Sequence, residues 1–362
     1  MRTGPFRVLL GNEGASSYLE RRYMNDLPTS HTSLAGHSLT DPFGRKITYL
    51  RVSVTDRCNL RCVYCMPLQG VQFVPRCEIL TLEEIKEVVR VGVSLGIHSV
   101  RLTGGEPLVR EGIVALVKMI SQIPGVEDLS MTTNGVLLSR TANHLARAGL
   151  RRINISLDTL RSDRFQEITR FGKVEDVFSG IDAAMKAGLS PIKLNTVVMR
   201  GVNDDEILDI ARLSLDKPLH IRFIELMPIG DYFHPERVVS AAEIFKRLQT
   251  LGPLKGVRGL RGCGPARSWM WEGALGTVGI IGAVTQAFCA QCNRLRLTAR
   301  GALRPCLDHE KDIDLKVALR PSVNREKLAA LFQEAVRIKP ESHTMAGREV
   351  GLPHSCMAGV GG

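Results

Sequence analysis

From Ile47 to about Met227 the chain alternates short runs of β-branched and apolar residues with longer stretches whose apolar residues recur three and four positions apart. The first pattern predicts strands and the second amphipathic helices. Strands are expected at Ile47–Val54, Ser99–Leu102, Asp128–Thr132, Arg152–Ser156, Ile192–Val198 and His220–Glu225. Helices are expected between them, at Leu82–Ser94, Ile113–Gln122, Thr141–Ala148, Val174–Ala187 and Asp204–Leu215. Repeated βα units specify a parallel sheet. Six in succession, with no glycine-rich dinucleotide fingerprint after the first strand, point to an α/β fold built on a partial (β/α)6 TIM-like barrel.

Beyond Pro228 that rhythm stops. Residues 240–250 read as helix, 252–264 are rich in Gly and Arg, Trp269–Ala287 reads as short strands with glycine turns, and Lys316–Ile338 returns to helix. The expected organisation is a flexible leader at 1–42, a barrel at 43–230, a smaller C-terminal α+β region at 231–345 and a tail at 346–362. A transit peptide is disfavoured in the leader by Glu13, Glu20 and Asp26.

In a βα barrel the chemistry gathers at the C-terminal strand ends. Here those ends carry Cys58, Thr103–Pro107, Thr132–Gly135, Ser156–Asp158, Lys193 with Asn195, and Arg222 through Glu225 to Met227. Any one of these is ordinary turn chemistry. Their recurrence at strand after strand is what points to a site.

Composition narrows the chemistry. No apolar run is long enough to span a bilayer, and no secretory signal is seen, so a cytoplasmic protein is expected. Forty-eight Lys and Arg against 37 Asp and Glu leave a net charge of +11, which favours a polyanionic partner. No basic tract is interleaved with aromatics, so a buried phosphate site is at least as plausible as a nucleic-acid groove.

Nine cysteines point to metal or redox chemistry rather than disulfides in a reducing compartment. Six of them form two groups of three: Cys58, Cys62 and Cys65, spaced C-x3-C-x2-C, and Cys289, Cys292 and Cys306. Three thiols are one short of a closed tetrahedral site, which suggests a metal site left open. Packing explains the first group poorly; for the second, zinc completed by His309 is a competitor. Cys77, Cys263 and Cys356 read as free thiols.

The spacing at Cys58–Cys65, with Tyr64 before the last cysteine and Gly104-Gly105-Glu106-Pro107 closing the next strand, resembles the radical S-adenosylmethionine (SAM) superfamily. Arg51–Cys58, Arg101–Pro107, Thr132–Gly135, Ile155–Asp158, Ile221–Glu225, Phe288–Leu297 and the terminal Gly361-Gly362 extend the resemblance to the GTP 3′,8-cyclases of molybdenum cofactor biosynthesis, from about Phe43 onward. That resemblance implies two [4Fe-4S] clusters, one on each cysteine group, the second borne by the C-terminal region. Tyr64, Gly105, Ser156 and Met227 would contact SAM. Arg51, Arg101, Thr132, Lys193, Arg294, Leu295 and Arg296 would contact GTP, with Arg294, Arg296, Gly361 and Gly362 in catalytic roles.

The implied reaction is reductive cleavage of SAM to a 5′-deoxyadenosyl radical that takes the C3′ hydrogen of GTP. Bond formation between C3′ and C8 then yields (8S)-3′,8-cyclo-7,8-dihydroguanosine 5′-triphosphate. The implied partners are a flavodoxin or ferredoxin as electron donor, a cyclic pyranopterin monophosphate synthase that receives the product, and a second copy in a homodimer; no nucleic acid and no membrane is expected. One departure stands out: the family often carries lysine where this chain has Ser99. The rivals are another radical SAM enzyme with an auxiliary cluster and a zinc-dependent nucleic-acid-binding protein.

Overall fold

The computed structural model describes residues 38–70, 73–257, 264–309, 311–351 and 357. Six strands, β1 (Tyr49–Ser53), β2 (Ser99–Thr103), β3 (Asp128–Thr133), β4 (Arg152–Ser156), β5 (Ile192–Val198) and β6 (Leu219–Glu225), run parallel in sequence order. Their crossovers carry α1 (Leu82–Ser94), α2 (Ile113–Ser121), α3 (Leu138–Arg147), α4 (Ser162–Thr169), α5 (Val174–Lys186) and α6 (Ile207–Asp216). Helix α1 starts where the sequence signals it, in a capping box of Thr81 and Glu84.

The remaining elements are α7 (Ala241–Leu248), β7 (Lys255–Val257), β8 (Arg267–Met270), β9 (Thr277–Ile281), β10 (Arg294–Leu297), β11 (Ala302–Arg304), β12 (Ile313–Asp314), α8 (Lys316–Leu319) and α9 (Arg325–Arg337). Their strands extend both edges of the same sheet. β10 pairs parallel with β1 and β9 pairs parallel with β6, and each is flanked by antiparallel strands, giving the order β12-β11-β10-β1-β2-β3-β4-β5-β6-β9-β8-β7.

Parallel strands covered on both faces usually read as continuous apolar runs. These alternate instead. Leu50, Leu102, Met131, Ile153, Leu194 and Ile221 face the helices and pack on residues such as Val88, Leu116, Leu145, Ile181 and Ile210. The intervening residues turn inward and are polar: Arg51 on β1, Arg101 on β2, Thr132 on β3, Asn154 on β4, Asn195 on β5, Arg222 on β6 and Arg296 on β10 all line one interior cavity.

Three expectations need correction. Leu39 and Asp41 are buried, and Thr40 bridges to Lys46, so packed structure already includes residues placed in the leader; residues 1–37 lie outside the described residues. Helix α4, too polar to stand out, adds a second helix to the β4–β5 crossover. The helix expected over Lys316–Ile338 is two, α8 and α9, with Pro321 between them removing a backbone donor. Among the described residues no helix is long and apolar enough to cross a membrane.

Candidate active site

The first thiol loop is held by three neighbouring strand ends. Gly105 N donates to Thr55 O (2.7 Å) and Glu106 N to Arg57 O (2.8 Å), docking the end of β2 on the chain just before Cys58. A Cβ on Gly105 would overlap the Arg57 carbonyl, so glycine is required here by close backbone approach. From β3, Asn134 Nδ2 donates to Asn59 Oδ1 (2.8 Å) and reaches Cys58 Sγ at 3.8 Å. Arg61 N and Val63 N donate to the carbonyls of Thr169 and Ile168 at the end of α4. From β4, Asp158 accepts from Tyr64 Oη at 2.6 Å.

The second group is brought in by a hairpin. Cys289–Gln291 form a single tight turn before β10, and Arg296 pairs with Arg304 on β11. Carried two residues further, that register places Cys306 opposite Arg294. All six thiols line the same cavity, of about 310 Å³. This volume is within the range of small-molecule sites.

Cations occupy its wall in a row. The registers align Arg296, Arg51 and Arg101 across β10, β1 and β2, and continue through Ser130 to Arg152 on β3 and β4. Arg222 and Arg294 also line the cavity, and Lys193 lies fully buried one layer below Asn195. Asp128, ion-paired with Arg152, is the carboxylate that meets this cluster. Burial and mutual repulsion therefore push the cations down: Arg296 to about 10, Arg222 to about 9 and Lys193 to about 6. The Tyr49 phenol is lowered although its burial opposes this, because Arg101, Arg51 and Arg294 surround it. Such a wall is costly unless an anion neutralises it. Among the described residues, buried polar atoms of Tyr49, Thr132, Asn154, Asn195 and Arg294 at the cavity also find no partner, as expected where a polar ligand supplies them.

Of the residues selected from sequence, Tyr64, Gly105, Ser156, Met227, Arg51, Arg101, Thr132, Arg294 and Arg296 meet at this cavity with both cysteine groups. Leu295 is not among its lining residues; strand alternation turns its side chain into the core, leaving its backbone for any contact. Lys193 sits beneath the lining. Gly361 and Gly362 lie outside the described residues, as do Cys263 and Cys356. Sequence places Arg222 and Asn195 only at strand ends and does not single out Asn154 or Tyr49 as site residues; the inward alternation of their strands is the signal that could have found them. Glu225, also at a strand end, is engaged structurally, accepting from the backbone of Ala241, Val284 and Thr285.

The thiol groups fit iron–sulfur clusters better than zinc. Each offers three sulfurs, and N–H groups point at them: Leu60 N to Cys58 Sγ (3.4 Å), Asn134 Nδ2 to the same sulfur and His343 N to Cys289 Sγ (3.5 Å). His309 does not complete the second group: its Nδ1 meets the Lys311 backbone and it does not line the cavity.

A parallel barrel with a three-thiol loop after its first strand and a Gly-Gly-Glu-Pro turn after its second defines a radical SAM enzyme. Residues 52–214 match the Radical SAM superfamily and residues 219–345 match Molybdenum Cofactor Synthesis C. Relatives named GTP 3′,8-cyclase include one from Pelotomaculum thermopropionicum, 52% identical over 85% of this chain and 95% of its own. Another, from Heliobacterium modesticaldum, is 51% identical over 90% of this chain and all of its own. Among solved structures, Streptococcus suis SuiB bound to precursor peptide SuiA superposes with a TM-score of 0.57 at 13% identity, over 83% of this chain and 67% of that one, a likeness of fold alone. The chain belongs to the GTP 3′,8-cyclase family.

Proposed function

We propose that this chain converts GTP to (8S)-3′,8-cyclo-7,8-dihydroguanosine 5′-triphosphate, with SAM and two [4Fe-4S] clusters as cofactors, in molybdenum cofactor biosynthesis. The observation that carries it is the meeting of two incomplete thiol groups and a row of arginines in one cavity. Cys58, Cys62 and Cys65 would hold the first cluster, which together with SAM would supply radical chemistry at C3′ of GTP.

The chain's own residues bind, orient and shield. Tyr64, Gly105, Ser156 and Met227 form the SAM side of the cavity. Arg51, Arg101, Arg222, Arg294 and Arg296 hold the triphosphate through planar, charge-assisted contacts, each worth about 1.5–3 kcal/mol. Thr132, Asn154 and Asn195 offer hydrogen bonds to ribose or base, and Lys193 supports the phosphates from beneath. Cys289, Cys292 and Cys306 would hold the second cluster on the GTP side, and Gly361 and Gly362 serve the reaction. With Ser99 in place of the frequent lysine, the neighbouring arginines carry more of the phosphate binding.

A flavodoxin or ferredoxin supplies electrons, the product passes to a cyclic pyranopterin monophosphate synthase, and the protein works as a cytoplasmic homodimer. Anaerobic incubation with GTP, SAM and a reductant tests the activity. Both 5′-deoxyadenosine and a cyclised GTP are expected, from brown protein holding about eight irons per chain. Colourless, zinc-loaded protein, or absence of both products, would reject it.

A further inference from the structure

Lys339 stands just beyond α9, its backbone N–H closing on Val336 O at 3.2 Å. It is 3% exposed, and its ammonium reaches into the second cysteine group. Nζ donates to Arg294 O at 3.0 Å and to Pro305 O at 2.5 Å. Those carbonyls belong to the two segments that bear Cys292 and Cys306. One side chain thus ties both arms of the hairpin, and it also lies against the Cys292 thiol, with Cys306 close by.

Its charge is what distinguishes it. Arg45, another buried cation beside this group, donates to Cys289 O (2.8 Å), Glu341 O (2.7 Å) and Pro340 O (2.6 Å), but its charge is met by Asp41 at 2.5 Å. Among the described residues no carboxylate pairs with Lys339, whose visible partners are neutral carbonyls and the thiols. An ammonium buried without a counter-charge is strongly unfavourable. A four-iron cluster on three thiolates is formally negative and would supply one.

We propose that Lys339 is a positioning residue for the second cluster: it fixes the two ligand-bearing segments and is the buried counter-charge that raises the cluster's reduction potential. A nearby positive charge favours the more negative, reduced cluster, so removing it makes reduction harder. The inference rests on the proposed assignment of Cys289, Cys292 and Cys306 to a cluster.

The test is a potentiometric titration of the full-length, anaerobically reconstituted protein followed by electron paramagnetic resonance, with SAM present to displace the signal of the first cluster. Lys339→Gln keeps hydrogen-bond donors without the charge, and Lys339→Arg keeps the charge. The glutamine variant is expected to retain iron and shift the second cluster to a more negative potential, while the arginine variant stays near the native value. Loss of the second cluster in the glutamine variant alone, with the arginine variant at native potential, also upholds the proposal, since charge then holds the cluster. An unchanged potential in Lys339→Gln, or loss of the cluster in both variants, overturns it. Native protein holding only about four irons per chain would remove the cluster assignment itself, before any variant is compared.

Discussion

Lys193 is surrounded by cations: Arg222, Arg152 and Arg101 act on it, with Asp128 the opposing carboxylate, and burial is the largest cause of its depressed value of about 6. The groups across from it in the sheet are Asn154 on β4 and His220 on β6, the latter itself pushed down to about 4 by burial, Lys193 and Arg222. At pH 7.5 the side chain is therefore mainly neutral until an anion binds. An unfolded lysine keeps its proton to about pH 10.4, so this burial destabilises the fold increasingly as pH falls from about 10 to 6, and no further below that. A bound triphosphate reverses the local field, so GTP binding should take up a proton, and affinity should strengthen as pH falls from 8 towards 6. Titration calorimetry in buffers of different ionisation enthalpy checks this. Comparison with Lys193→Met cancels the nucleotide's own titration, and identical pH profiles for the two proteins would contradict the assignment. Lys193 was selected from sequence by resemblance, whereas its depth below the cavity came from strand register, which the sequence does not display. Arg222 was legible in principle, because His220, Arg222 and Ile224 alternate with the core residues Ile221 and Phe223.

At the scale of elements, the parallel strands of the barrel were readable because β-branched runs and amphipathic helices alternate at short range. Helix α4 was not, since its polar face dominates and packing of Phe165 and Ile168 decides it. The parallel pairing of β9 and β10 onto the barrel edges was also hidden. β10 follows a cysteine turn and is only four residues long, and its partner β1 lies more than two hundred residues earlier. Arg294 and Arg296 are expected at the substrate by family resemblance; their alignment with Tyr49 and Arg51 is what places them in the cavity. Gly105 is the reverse case, selected as a SAM contact and found to be required first by packing of the β2 end against the Arg57 carbonyl. Gly105→Ala should displace the first thiol loop and leave the second group intact. Reconstituted Gly105→Ala protein is then expected to hold about half the native iron and to show no SAM binding by equilibrium dialysis. Full iron content with native SAM affinity would show that the loop tolerates the methyl group.

At the scale of the molecule, the two edges of one sheet carry the second half of the chain, and the β10 edge delivers the second cysteine group to the mouth that the first group already occupies. Among the described residues neither group is closed by a fourth cysteine, and the cations between them outnumber Asp128, the carboxylate that meets them. The deficits are complementary to SAM on one side and a nucleoside triphosphate on the other, so both should be held in one cavity close enough for hydrogen to pass between them. The most direct measurement uses GTP deuterated at C3′, with SAM and a reductant under anaerobic conditions, and mass spectrometry of the 5′-deoxyadenosine released. One deuterium is expected in 5′-deoxyadenosine in step with cyclised product; 5′-deoxyadenosine formed without deuterium while GTP remains unchanged would show that SAM and GTP do not share the cavity.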